Sequence, residues 1–133
     1  MTRRFCCIAC VATLLTLGAT SAKESDTAQR MRTAATAFLA TLEEPQRAQA
    51  TFAFEVDERL NWHFVPRERK GLPLKAMTEA QRKAVVALLR TGLSDKGFQK
   101  IERIRDLENI LRELEQGKGA VRDPELYFLS IFG

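Results

Sequence analysis

Three stretches of this chain repeat their apolar residues at spacings of three or four, and only one, residues 52–64, alternates them. That division confines the fold to helices with a small β component. Met31, Ala35, Phe38, Leu39 and Leu42 lay a stripe along one face of a helix predicted over 25–42, with Ser25 and Asp26 as start residues. Glu43-Glu44-Pro45 ends it, because proline disfavours helical geometry in the residue before it. The same proline suits the first turn of a short helix over 46–50. A helix begun at Thr78 carries Val85, Val86, Leu88 and Leu89, and Gly92 is placed to end it in the left-handed conformation. Ser94 caps a further stretch through Phe98, Ile101, Ile104, Leu107, Leu111 and Leu114, with Asp106 as a second cap after a bend. Leu42-Glu43-Glu44-Pro45-Gln46-Arg47 lines up with Met77-Thr78-Glu79-Ala80-Gln81-Arg82, 35 positions later; the second copy is a capping box with Gln81 reaching back to Thr78.

The alternating stretch predicts a hairpin. Phe52, Phe54 and Val56, then Leu60, Trp62 and Phe64, form one buried aromatic face on either side of Asp57-Glu58-Arg59, which makes Trp62 a core residue. Asn61 and His63 then share the opposite face. Val65-Pro66 closes the strand, and a loop over 67–75 carries Arg67, Arg69, Lys70 and Lys75 against the single anion Glu68. Residues 127–132 are apolar at five of six positions, so a C-terminal strand beginning near Glu125 is expected, covered on both faces. The order helix, hairpin, helices, strand gives an α+β fold, mostly helical with a β-hairpin and a C-terminal strand, and not a doubly wound parallel sheet. Such a strand needs partners for its backbone groups. The chain is therefore expected to be part of a larger domain, truncated and marginally stable, and to need a following segment or a second chain.

Residues 1–22 read as a secretory signal peptide: Arg3 and Arg4, an apolar run over 5–17, and Thr20-Ser21-Ala22 before Lys23. That run is shorter than the roughly 20 residues that span a bilayer, so no transmembrane anchor is expected once it is cleaved. The expected location is periplasmic or secreted. The three cysteines, Cys6, Cys7 and Cys10, all lie in this segment, so residues 23–133 have neither a disulfide nor a thiolate nucleophile. The formal charge of +4 falls to 19 cations against 17 anions without Arg3 and Arg4, too little for an electrostatic case for nucleic acid.

Several segments together resemble a known family. They are Phe38-Leu39-Ala40-Thr41-Leu42, the core Trp62-His63-Phe64-Val65-Pro66-Arg67-Glu68-Arg69-Lys70-Gly71, the Thr78 helix start, and Asp123-Pro124-Glu125-Leu126-Tyr127 with Ser130-Ile131-Phe132-Gly133. The chain is similar, over nearly all of residues 23–133, to the N-terminal part of the family catalogued as domain of unknown function 3500. The resemblance implies an exported protein whose relatives continue past the Ile-Phe-Gly into strands with further Trp, Arg and paired His residues. It implies no activity and no cofactor.

Catalytic templates fail on spacing: no Ser-His-Asp arrangement, no glycine-rich phosphate loop and no helical HExxH is present. The candidate site is the face of Asn61 and His63 with Arg67, Arg69 and Lys70, where guanidinium groups match carboxylate or phosphate geometry and His63 is a candidate metal ligand. Against it stands the plainer account of a surface histidine beside a solvated basic loop. Three functions remain open: binding of an anionic small molecule or envelope component, an exported hydrolase with or without a metal, completed by a further segment, and a structural or assembly role.

Overall fold

Capping side chains set where the helices begin. In this computed structural model, which describes residues 25–63 and 67–133, Ser25 Oγ accepts from the Ala28 N–H at 3.2 Å and opens α1, Asp26–Ala40. Pro45 lies in the first turn of α2, Glu44–Ala50. Thr78 and Gln81 close the predicted capping box on α3, Glu79–Gly92, with Gln81 Oε1 accepting from the Thr78 N–H at 2.8 Å. Ser94 opens α4, which runs unbroken over Asp95–Glu115, so Asp106 caps nothing. The fold is α+β and mostly helical, as the spacing predicts. Among the described residues no helix is long and apolar enough to cross a membrane. Residues 1–22, read above as a signal peptide, and residues 64–66, which carry the predicted strand end, lie outside the described residues.

The hairpin does not form. β1 is only Thr51–Phe52; the expected turn at Asp57-Glu58-Arg59 becomes a 3-10 turn, Asp57–Leu60, and residues 61–63, on the expected second strand, form no strand. β1 instead pairs in parallel with β4, Ile131–Phe132, with Thr51 opposite Ile131 and Phe52 stacked on Phe132 at 5.3 Å between ring centroids. β2, Leu72–Pro73, pairs antiparallel with β3, Phe128–Leu129. The predicted C-terminal strand is thus split at Ser130 and serves two partners. Alternation in 54–62 marks no buried face: Phe54, Val56, Leu60 and Trp62 are all exposed, Trp62 at 79%. Backbone partners far along the chain won over local pattern, and Trp62 is not a core residue.

The core is small. Phe38 and Leu72 are fully buried, with Leu42, Ala50, Met77 and Val85 around them. α1 packs chiefly on α3, and Gly92 lets them approach: a Cβ there would lie 3.3 Å from Met31 Cε. Gly92 ends α3 without the expected left-handed conformation, because Leu93 after it is extended. The left-handed termination falls instead after α4, at Gln116 and Gly117. Gly71 is required where β2 begins: its φ is +110°, and a Cβ would stand 2.5 Å from Ser130 Oγ.

The 35-residue alignment has a physical counterpart. Gln46 and Gln81 occupy equivalent positions in α2 and α3, and each reaches back to an N–H at its own helix start, Glu43 and Thr78. Their amides also bond one another, Gln81 Nε2 donating to Gln46 Oε1 at 2.7 Å and Gln46 Nε2 to Gln81 Oε1 at 3.3 Å. Gln81 donates to the Thr41 carbonyl and Gln46 to that of Ala76. Two helix N-termini are thereby locked together through a polar pair in which Gln81 is buried and Gln46 half-buried.

Candidate functional site

The segment after the 3-10 turn is irregular, but it is tied down by side chains. Asn61 Nδ2 donates to Glu58 Oε2 at 3.0 Å, which fixes the amide so that its oxygen faces the loop. That oxygen, Oδ1, accepts from Arg67 Nη2 at 2.8 Å and lies 3.0 Å from His63 Nε2. Arg69 Nη2 donates to the His63 carbonyl at 2.8 Å, and Lys70 Nζ lies 3.8 Å from Glu58 Oε2. Asn61, His63, Arg67 and Arg69 are therefore one hydrogen-bonded cluster, with Lys70 at its edge. They come together without the shared strand face that the alternation predicted.

The cluster opens onto a concavity of about 850 Å³ lined by Trp62, His63, Arg67 and Arg69 on one side and by residues 120–123 and 126–128 with Glu108 on the other. That volume lies within the usual range of small-molecule pockets. A smaller recess of about 190 Å³, reached past Asn61 and Lys70, shares Trp62, Arg67, Glu68, Arg69 and Phe128 with it.

The far wall is built from α4 and the segment that follows it. Arg122 forks onto Glu115 at 3.0 and 2.8 Å and lies 3.9 Å from Glu108, while the Tyr127 hydroxyl donates to Glu108 Oε1 at 3.2 Å. Lys75 holds Asp123 at 2.8 Å. Burial, then the charge of Glu108 and the hydrogen bond to it, push the Tyr127 phenol up. Hydrogen bonds from Arg122 and from Lys75 hold the Glu115 and Asp123 carboxyls below the usual carboxylate range.

The sign of those last two shifts sets an expected pH dependence. A carboxyl held low in the folded state contributes stability that is present above its unfolded value and is lost as pH falls through the lower folded value. The ordinary values of these groups are 4.5 and 3.8. Melting temperature followed by circular dichroism should accordingly decline on acidification below them, and Glu115→Gln should flatten part of that decline. An acid profile identical in the variant would show that this wall contributes nothing.

Sequence reasoning missed the far wall: Glu108, Arg122 and Tyr127 carry no local signal that brings them to His63, and Trp62 was assigned to the core. The proposed metal ligation by His63 gains no companions, since among the described residues no three His, Cys, Asp or Glu side chains are grouped to hold an ion.

Fold and site together define a small α+β protein, mostly helical, with an open, cation-bearing concavity. The family model described as "Protein of unknown function (DUF3500)" matches residues 24–133, and the chain belongs to that family. Comparison with curated proteins and with solved structures finds no match.

Proposed function

We propose that this protein binds an anionic small molecule or envelope component at the cluster of Asn61, His63, Arg67, Arg69 and Lys70. The observation that carries this is Arg67. Its guanidinium is exposed at the mouth of both recesses, and its hydrogen-bond partner is the neutral oxygen of Asn61. A guanidinium oriented by an amide keeps its charge for a ligand and offers a fork that matches a carboxylate. Holding is favoured over hydrolysis because Glu108 and Asp123, two carboxylates of the concavity, are already engaged by Tyr127, Arg122 and Lys75.

Titration with acetate, followed by NMR, should give saturable shifts at Asn61 and His63, and Arg67→Ala should abolish them. Arg67→Ala and His63→Ala should each change stability by no more than about 0.5 kcal/mol, the usual range for surface substitutions. The absence of any saturable shift in the wild-type protein would remove this reading. A loss of several kcal/mol in His63→Ala would make the residue structural.

We also propose that the protein is exported, on the support of Arg3, Arg4 and the apolar run that follows. Protein recovered outside the cytoplasm should begin near Lys23, and an intact Met1 there would overturn the proposal.

A further inference from the structure

The two recesses that meet at Arg67 differ in charge. Among the described residues the smaller is lined by four cations, Arg59, Arg67, Arg69 and Lys70, against two anions, Glu58 and Glu68. The larger has three of each, Arg67, Arg69 and Arg122 against Glu68, Glu108 and Asp123, with one histidine. An anionic group therefore gains from sitting toward Asn61 and Lys70, whereas a second anionic group in the larger recess gains nothing.

What the larger recess offers is apolar surface. Trp62 is 79% exposed and Val121 80% exposed, and both line it with Leu126 and the rings of Tyr127 and Phe128. An indole standing in water beside a guanidinium is a surface that gains from being covered by a flat apolar group, since aromatic rings add a geometric preference to the burial of their area. Trp62 and Arg67 each line both recesses, so the two features belong to one continuous site.

We propose that the ligand is an aryl carboxylate, its carboxylate on the Arg67 fork toward Asn61 and its ring against Trp62 in the larger recess. This rests on the anion-binding function proposed above and names the chemical class that the site takes. The planar carboxylate matches the guanidinium, the single negative charge matches the modest positive excess, and the ring takes the place of water on Trp62.

Trp62 is the chain's one tryptophan, so its fluorescence reports on its own surface. The test compares 2-naphthoate, acetate and the neutral 2-naphthamide by calorimetry and NMR, with Trp62 emission as a second readout for the non-fluorescent analogue cyclohexanecarboxylate. Expected is 2-naphthoate binding about tenfold more tightly than acetate, with the ratio of the two affinities falling toward one in Trp62→Ala. Equal affinities for 2-naphthoate and acetate would overturn the aryl assignment and leave the anion-binding function standing. Equal affinities for 2-naphthoate and 2-naphthamide would overturn the anion-binding function itself, and the absence of binding by every probe would overturn both.

Discussion

Phe38→Ala should destabilise the protein by about 3–5 kcal/mol, the usual cost of emptying a large aromatic site. Phe38 is fully buried on the face of α1 that meets α3, and it contacts a core of only a few buried residues. A core this small has little to collapse into the cavity, and a domain of this size has a total stability not much larger than the loss. Urea denaturation should show either a much lower midpoint or a chain already unfolded without denaturant. An unfolding free energy within about 1 kcal/mol of the wild type would mean that the α1–α3 contact is not the centre of the fold.

Gln81→Ala is expected to cost about 2–3 kcal/mol, more than its size suggests, because one amide serves several groups. It accepts from the Thr78 N–H, donates to the Thr41 carbonyl and exchanges hydrogen bonds with Gln46, all at 4% exposure. Its removal leaves the Thr78 cap on the Gln81 backbone N–H in place but takes away the reciprocal half of the capping box, and it leaves the Thr78 N–H, the Thr41 carbonyl and the Gln46 amide short of a partner. A double-mutant cycle with Gln46→Ala should return a coupling above about 0.5 kcal/mol, since the two side chains belong to one network. Additive losses would show two independent caps and no joint between helices.

The helices were legible because their determinants are local. Ser25, Pro45, Thr78 with Gln81, and Ser94 each act within one turn, and the stripes beside them repeat within a few residues. The β part was not legible, because each strand is two residues long and its partner lies far away: Thr51 finds Ile131, and Leu72 finds Leu129. Phe54, Leu60 and Trp62 imitate a strand face by alternation alone. They stay exposed because no sheet extends past Phe52 to cover them. The site divides along the same line. Asn61, His63, Arg67 and Arg69 are neighbours in sequence and could be grouped at once. The wall of Glu108, Arg122 and Tyr127 depends on how α4 returns, which no local signal encodes.

The parallel pairing of β1 with β4 joins residues 80 positions apart. Closing so long a loop carries an entropic penalty that no contact repays until the loop is shut, so this pairing belongs to the late, slow part of folding. The α1–α3 contact and the glutamine joint span shorter separations and can form before it. The segment that carries β3 and β4 also supplies Tyr127 and Phe128 to the concavity, so the walls of the proposed site come together with that long-range pairing. A ligand held at the proposed site would lengthen the life of the native state by slowing its unfolding, and would have little purchase on the rate at which the chain first folds.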